Sequence, residues 1–240
     1  MTSKTVDPPN ISQAPSPRLW FTMVLHCLFI QLTLLVCGGD FSWWMAWVFS
    51  VLMFLVSIGG HFLAEKRHPG IMVERAGMGK AHNAKPWNKI LASLMPISIS
   101  FPLVIVAGLD HRNGWTPLFP TWLNILGLVL IVLGYVFAVW ALIENRFFST
   151  SVYIQTDRGH SVCNSGPYRI VRHPGYAGII FALPGIVLAL GSLWTLIPVV
   201  IAIIIAVIRT ELEDRTLQEE LKGYKEYVQQ VRYRLIPGIY

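Results

Sequence analysis

Long stretches without Asp, Glu, Lys or Arg divide this chain. Five of them occupy residues 19–39, 41–64, 90–109, 113–143 and 173–208. A helix that crosses about 30 Å of hydrocarbon needs about 20 apolar residues. Each of the first four stretches therefore accommodates one span. The fifth, with 36 residues, accommodates two short spans that turn near Gly191. The pattern predicts an all-α, polytopic integral membrane protein with about six transmembrane helices.

The overall composition agrees with a membrane protein. Hydrophobic residues make up 54% of the chain and charged residues 13%, whereas a soluble domain carries about 25% charged residues. This balance excludes a disordered chain and argues against a water-soluble globule. The net charge of +6 on so apolar a chain is more typical of the cytoplasmic side of a membrane protein than of a nucleic-acid binder.

The distribution of basic residues predicts the orientation. With the N-terminus in the cytoplasm, 18 of the 19 Lys and Arg residues fall on the cytoplasmic side, and Arg112 is the exception. Cytoplasmic segments of membrane proteins carry this excess of Lys and Arg. We therefore expect both termini in the cytoplasm, in the cell inner membrane of a prokaryote or the endoplasmic reticulum of a eukaryote. The sixth span, 194–208, is short, and is either tilted or continuous with a helix after Arg209.

The predicted organisation has three parts. Residues 1–18 form a disordered cytoplasmic tail, 19–143 contain four transmembrane helices with a cytoplasmic loop at 64–89, and 144–240 form the region that holds the chemistry. The three cysteines, Cys27, Cys37 and Cys163, have neither metal-type spacing nor an even number for disulfides. We therefore expect free thiols and no metal site.

The first candidate site lies between 155 and 178, in a segment rich in turn-forming, aromatic and basic residues. It contains the run Arg172-His173-Pro174-Gly175-Tyr176. Proline suits the first turn of a helix because its missing N–H needs no partner there. We expect a helix to begin at Pro174, with His173 capping it or donating a hydrogen bond. Arg172 can bind loop carbonyls, a lipid phosphate or a cofactor.

The second candidate site begins where the last apolar stretch ends. Arg209 and Glu213 are four residues apart and therefore share one face of a helix. Two interpretations are open at this point. The two side chains can pair structurally, or the arginine can hold an anionic substrate while the glutamate holds a cationic group of a cofactor.

Together, the two clusters resemble the isoprenylcysteine carboxyl methyltransferase family. The matching positions are Gly166-x-Tyr168-x-x-x-Arg172-His173-Pro174-x-Tyr176, followed after one helical hairpin by Arg209-Thr-x-x-Glu213. Upstream, Glu74-Arg75 and Lys85-Pro-Trp87-x-Lys89 look like the short prokaryotic members. The broader superfamily includes phospholipid N-methyltransferases and a methanethiol methyltransferase branch, and membrane sterol reductases share the C-terminal signature.

The resemblance implies a cofactor, S-adenosylmethionine, bound in a pocket at the cytoplasmic mouth of the C-terminal region. Arg209 takes the role of the catalytic, substrate-binding arginine. The family's cofactor contacts fall on Gln155, His160, Ser161, Val162, Cys163, Tyr168, His173, Pro174, Gly175, Tyr176 and Glu213. Two features depart from the family pattern. The match at Gln155 requires a two-residue shortening before His160, and Leu212 interrupts an otherwise acidic run.

The implied function is transfer of a methyl group to the carboxylate of a prenylcysteine-like or other lipidic acceptor that enters from the bilayer. Two alternatives remain. One is an N- or S-methyltransferase that acts on an amine lipid or a small thiol. The other, more remote, is an NADPH-dependent reductase of the sterol type, although those enzymes are usually much longer. Membrane lipid is an expected partner in each case, and nucleic acid and metal are not.

Overall fold

A computed structural model describes residues 15–77, 86–148, 154–155 and 159–240 of the chain. Every regular element in these ranges is helical. The elements in chain order are α1 (Pro17–Gly38), α2 (Trp44–Arg67), α3 (Ile71–Gly77), α4 (Pro86–Asn113), α5 (Thr121–Glu144), a 3-10 turn (Gly166–Arg169), α6 (Pro174–Leu190), α7 (Leu196–Glu220) and α8 (Tyr224–Gln230).

The helices coincide with the uncharged stretches of the sequence. Among the described residues, α1, α2 and α5 are long and apolar enough to cross a membrane, and α6 is a shorter apolar helix. The prediction of an all-α, polytopic integral membrane protein is therefore confirmed. The other predicted spans are also helices, and α7 continues through Arg209 as far as Glu220. Most of the predicted tail, 1–14, and the loop residues 78–85 lie outside the described residues.

Helices α5 and α6 pack together more closely than any other pair, because glycines face each other along the contact. A Cβ atom at Gly178 would clash with the carbonyl oxygen of Gly134, and one at Gly127 would clash with the backbone of Ala189. Small residues allow helix backbones to approach in this way within membranes. The close contact fixes the start of α6 beside the end of α5, which is where the candidate site residues lie.

Adding a single methyl group to this contact is expected to destabilise the protein. Gly178→Ala forces backbone atoms of α5 and α6 apart, and such overpacking costs about 1–3 kcal/mol. Gly59→Ala in α2 is the matched control, since a Cβ there meets no atom of the described residues within 4 Å. Thermal unfolding in detergent should show a lower Tm for Gly178→Ala only. Equal Tm values for the two variants would contradict the close contact.

The opposite end of the bundle is held by a buried carboxylate in α4. Asp110 accepts hydrogen bonds from the backbone N–H of Thr116 at 2.8 Å and from the hydroxyls of Thr116 and Ser192 at 2.6 and 2.5 Å. The loop between α4 and α5 is thereby joined to the turn between α6 and α7. This cluster stabilises one end of the bundle, and the candidate site lies at the opposite end.

Candidate active site

A cavity opens at the end of the bundle where α5 ends and α6 begins. Its empty volume, including the open mouth, is about 760 Å³. The segment 160–163 forms one wall, the start of α6 and the middle of α7 form another, and α8 closes the base. The lining residues are Asn145, Phe147, Phe148, His160, Ser161, Val162, Cys163, Tyr168, Arg172, His173, Gly175, Tyr176, Glu213, Leu217, Leu221, Tyr224 and Tyr227.

The cavity brings together the two sequence clusters, although they are separated by the whole α6–α7 hairpin. All of the predicted cofactor residues except Gln155 and Pro174 line it. Gln155 is buried behind the wall, where its Nε2 donates to the carbonyl of Phe147 at 3.2 Å and its backbone N–H donates to Nδ1 of His160 at 3.3 Å. Pro174 is buried as the first residue of α6. Both residues therefore support the wall rather than face the cavity.

The wall segment is fixed to the end of α5 through Glu144. The hydroxyl of Ser165 donates to Glu144 Oε1 at 2.5 Å. Gly166 follows with φ +53°, and a Cβ at this position would lie 2.9 Å from the Glu144 carboxyl group. Only glycine meets both the left-handed backbone and the close approach without strain. Burial raises the pKa of the neighbouring Cys163 thiol, so this cysteine is a neutral wall group.

Tyr168 forms the floor of the cavity as a buried, neutral phenol. Its hydroxyl accepts from Nδ2 of Asn145 at 3.3 Å and donates to the carbonyl of Ala141 at 3.4 Å. Tyr227 donates to the backbone carbonyl of Tyr168 at 2.6 Å. Burial raises the pKa of Tyr168 well above its usual value. The ring is thus held by three helical elements and offers a flat, uncharged surface.

Tyr176 contacts both Glu213 and Arg209, the two residues of α7 that the sequence singled out. Its hydroxyl donates to Oε2 of Glu213 at 2.7 Å. The guanidinium carbon of Arg209 lies 5.6 Å from the centroid of its ring, within cation–π range. Of the two α7 residues, Glu213 lines the cavity, whereas Arg209 is only 5% exposed and lies behind the tyrosine. Arg209 and Glu213 therefore both contact Tyr176, from different sides.

A buried carboxylate next to Glu213 organises the base of the site. Asp214 accepts two parallel hydrogen bonds from Arg172, from Nε at 2.8 Å and from Nη2 at 2.9 Å. Its oxygens also lie 3.2 Å from Nε2 of His173 and 3.0 Å from the hydroxyl of Tyr224. Nε of Arg234 and Nε2 of Gln218 also donate to this carboxylate, at 2.9 and 2.8 Å. Asp214 is therefore the centre of the most connected polar group in the described part of the chain.

The protonation state of this carboxyl follows from two opposing effects. Burial raises the pKa of Asp214, but hydrogen bonds from His173 and Arg172 outweigh burial and hold the pKa far below its usual range. The neighbouring Tyr224 moves in the opposite direction, since burial and the Asp214 charge raise its pKa. The centre is therefore a carboxylate that accepts hydrogen bonds from a neutral phenol and from cations.

Arg172 and His173 are held by the C-terminal segment as well. Nη1 of Arg172 donates to the carbonyls of Val231 and Arg232 at 2.9 and 2.6 Å. The backbone N–H groups of Arg172 and His173 donate to the carbonyls of Tyr233 and Arg234. Of the roles considered for Arg172, the structure thus places it on loop carbonyls and on Asp214. His173 occupies the cap position of α6 but forms no side-chain cap bond.

Comparison with known proteins bears on the region that builds this cavity. Residues 122–223 match the family model described as phospholipid methyltransferase. This stretch of the chain is similar to the members of that family. A second match is protein-S-isoprenylcysteine O-methyltransferase B of Arabidopsis thaliana, 29% identical over 99 residues. That alignment covers 39% of this chain and 50% of the relative, so the chain matches about half the length of the curated relative. Both matches support the family resemblance read from the sequence.

Several cavity residues were not anticipated from the sequence. Leu217 and Leu221 follow Glu213 at intervals of four residues, so helical periodicity could have placed them on the same face. Tyr224 and Tyr227 share a face of α8 by the same rule. Phe147 and Phe148 carry no comparable signal, because they lie in a turn after α5.

The role of Asp214 was also missed. The carboxylate was visible in the acidic cluster after Arg209, but its partners are Arg172, 42 residues earlier, and Arg234, 20 residues later. Among the described residues, no group of three His, Cys, Asp or Glu side chains is placed to hold a metal ion.

Proposed function

We propose that this chain transfers a methyl group from S-adenosylmethionine to the carboxylate of a prenylcysteine-like or other lipidic acid. The products are a methyl ester and S-adenosylhomocysteine. The observation that carries the proposal is the placement of Glu213 and Arg209 around Tyr176, with the glutamate at the cavity and the arginine behind its aromatic wall. An anionic and a cationic group thus lie within one helical turn of each other, and we assign the first to a cationic cofactor and the second to an anionic acceptor.

The lining of the cavity suits this cofactor in chemistry. The rings of Tyr168, Phe148 and Tyr176 can cover an adenosine group, and Glu213 can pair with the ammonium of the methionine part. S-adenosylmethionine supplies a methyl group that is bonded to a positively charged sulfur. A carboxylate oxygen would bond to the methyl carbon, while the electron pair of the broken C–S bond stays on sulfur.

The residues of the site suit a reaction that needs positioning more than proton transfer. A carboxylic acid has a pKa near 4 and is ionised at neutral pH, so the acceptor needs no general base. Arg209 can fix the acceptor oxygen with its rigid donor geometry. The buried position of Arg209 keeps bulk water away from the acceptor charge, which favours the union of a cation and an anion into neutral products. In-line alignment of acceptor and methyl group is then the main requirement.

A second cavity offers space for the apolar part of the acceptor. It lies within the bundle between α1, α2, α4 and α5, and its lining is mainly apolar, with Phe49, Met53, Leu103, Val139 and Leu142 among its residues. Its empty volume, including its opening, is about 1040 Å³. A long hydrocarbon chain partitions into such a space from the bilayer. The arrangement favours a lipidic acceptor over a water-soluble one.

The location of the site follows from the charge distribution. We place both termini and the cavity mouth in the cytoplasm, with six spans, because 18 of 19 basic residues then lie on that side. An aqueous methyl donor would reach the cavity from the cytoplasm, and a lipidic acceptor from the membrane.

Calorimetry with the purified protein tests the cofactor. We expect S-adenosylhomocysteine to bind at one site per chain and NADPH to produce no heat, because Glu213 faces the cavity where an NADPH phosphate would be repelled. Binding of NADPH without binding of S-adenosylhomocysteine would replace the proposal with the reductase alternative.

A second candidate is methyl transfer to the amine of a lipid or to a small thiol. The description of the matching family model as phospholipid methyltransferase favours the lipid amine. The two classes of product differ in stability, since a methyl ester is cleaved by mild base whereas an N-methyl or S-methyl group survives. An acceptor amine would also need to lose a proton. Methyl label that resists base would therefore select this second candidate.

A further inference from the structure

A groove between α1 and α2 opens sideways toward the hydrocarbon of the membrane. Helix α1 packs mainly against α4 and makes fewer contacts with α2. Of α1, α2 and α5, α1 has the smallest buried share. The walls of the groove are mostly apolar, and Leu28, Leu32, Trp47 and Val51 are among its exposed residues. Lipid, rather than water, is therefore the molecule available to occupy this groove.

Two buried polar atoms at this groove lack a partner within the described part of the chain. They are Oγ of Ser50 in α2 and Oε1 of Gln31 in α1. Ser50 is only 7% exposed. Another hydroxyl in α1, that of Thr33, instead donates to the backbone carbonyl of Phe29, one turn earlier, at 2.8 Å. An unpaired polar atom in apolar surroundings is costly, so a ligand with a matching polar group would be stabilised in the groove.

The two unpaired atoms belong to residues at a similar depth in the membrane. Gln31 lies seven residues before Gly38, the last residue of α1, and Ser50 lies six residues after Trp44, the first residue of α2. With a rise of 1.5 Å per residue, each is about 10 Å from the turn that joins the two helices. A single small polar group between the helices can therefore serve both residues.

The chemistry of the two atoms selects the kind of group. An amide oxygen only accepts a hydrogen bond, whereas a serine hydroxyl can donate one. An alcohol matches this pair, because its O–H donates to Gln31 while its oxygen accepts from Ser50. An ester or ketone carbonyl would leave the Gln31 oxygen unpaired, since it has no donor. A charged head group is disfavoured at this depth, because charge is costly within hydrocarbon.

We propose that the α1–α2 groove binds a long-chain lipid alcohol, with its hydroxyl between Gln31 and Ser50 and its hydrocarbon chain along the apolar wall. The site lies outside residues 122–223, which match the methyltransferase family model. Ser50 lines neither the candidate active site nor the cavity inside the bundle. Gln31 lines that second cavity as well as the groove, so a bound alcohol lies beside it. This inference does not rest on the proposed methyl transfer.

Photolabelling of the purified, full-length protein in phosphatidylcholine nanodiscs tests the site. The probe is farnesol with a diazirine at the far end of its chain, and the labelled peptides are identified by mass spectrometry. We expect label on α1 and α2. Loss of hydrogen bonds should raise the half-saturating probe concentration at least about threefold in Ser50→Ala and at least about tenfold when Gln31→Leu is added. Farnesyl methyl ether, which has no O–H, should compete less well than farnesol for the wild type.

The matched control is Thr33→Val, which removes an α1 hydroxyl that is bonded within its own helix and lies outside the groove lining. It should label like the wild type. Without ligand, the Tm of Ser50→Ala should not fall, because the lost hydroxyl had no partner, and this result would confirm that the variant is folded. Three results would overturn the inference: equal half-saturation in the wild type and the double variant, label confined to other helices, or equal competition by farnesol and its methyl ether.

Discussion

Asp214→Asn is expected to be the most damaging single substitution in this protein. The change preserves the shape of the side chain but removes the negative charge that Arg172 and Arg234 share. Breaking a buried ion pair by removing one partner costs about 3–5 kcal/mol, because the other charge is left uncompensated. Asp214 has no exposed side-chain surface, so solvent cannot replace the lost interaction. We expect a large decrease in Tm in detergent and loss of cofactor binding.

Glu219→Gln is the matched control, since it removes a carboxylate from the same helix at an exposed position. Its Tm should stay close to that of the wild type.

The carboxylate of Asp214 also predicts the effect of acid. Its pKa is lowered in the folded state, so its contribution is fully present above the pKa of about 3.9 of an unfolded Asp and is lost as the pH falls below that value. Equal Tm values for Asp214→Asn and Glu219→Gln would exclude Asp214 as the organising residue.

Substitutions at Glu213 and Arg209 should separate cofactor binding from catalysis. Glu213→Gln removes the charge at the cavity wall, and we expect at least about a tenfold loss of affinity for S-adenosylhomocysteine, which corresponds to about 1.4 kcal/mol. Arg209→Gln leaves the cavity wall intact and should spare that affinity. It should nevertheless reduce kcat/KM for an acid acceptor by about a hundredfold or more, since a charged, bidentate donor to the acceptor is lost.

The two variants serve as controls for each other, because they lie one helical turn apart and differ in which partner they bind. Calorimetry measures the affinity for S-adenosylhomocysteine, and initial rates of transfer give kcat/KM for the acid acceptor. Equal losses of cofactor affinity in the two variants would contradict the assigned roles. Glu219→Gln on the same helix tests nonspecific effects, since this side chain is exposed and lies outside the cavity lining.

Much of the architecture could be predicted because a single physical constraint dominates it. Charged side chains are costly within hydrocarbon, so the uncharged stretches of the sequence coincide with helices. The start of α6 at Pro174 and the extension of α7 past Arg209 were also open to prediction. The close contact of α5 with α6 was not, although Gly127 and Gly134 were visible, because the partner glycines are known only once the two helices are aligned.

The site divides in the same way. Tyr176 and Glu213, which were matched to a family motif, line the cavity, whereas the roles of these residues and of Arg209 stay predictions. The hydrogen bonds of Asp214 could not be anticipated, since they join α7 to the start of α6 and to the C-terminal segment. Arg75 was noted only as part of a motif, and its position on Phe148 required the fold. Interactions between distant parts of the chain therefore account for most of what the sequence left undetermined.

The central claim is methyl transfer to a lipidic carboxylate, and the fate of a labelled methyl group tests it most directly. The purified protein is incubated with methyl-labelled S-adenosylmethionine and a farnesylated cysteine analogue, and the lipid product is treated with mild base. We expect label in the lipid product of the wild type, release of this label as methanol by base, and no label with Arg209→Gln. Label that survives base, or no transfer to any prenylated or fatty acid despite bound cofactor, would contradict methyl transfer to a carboxylate.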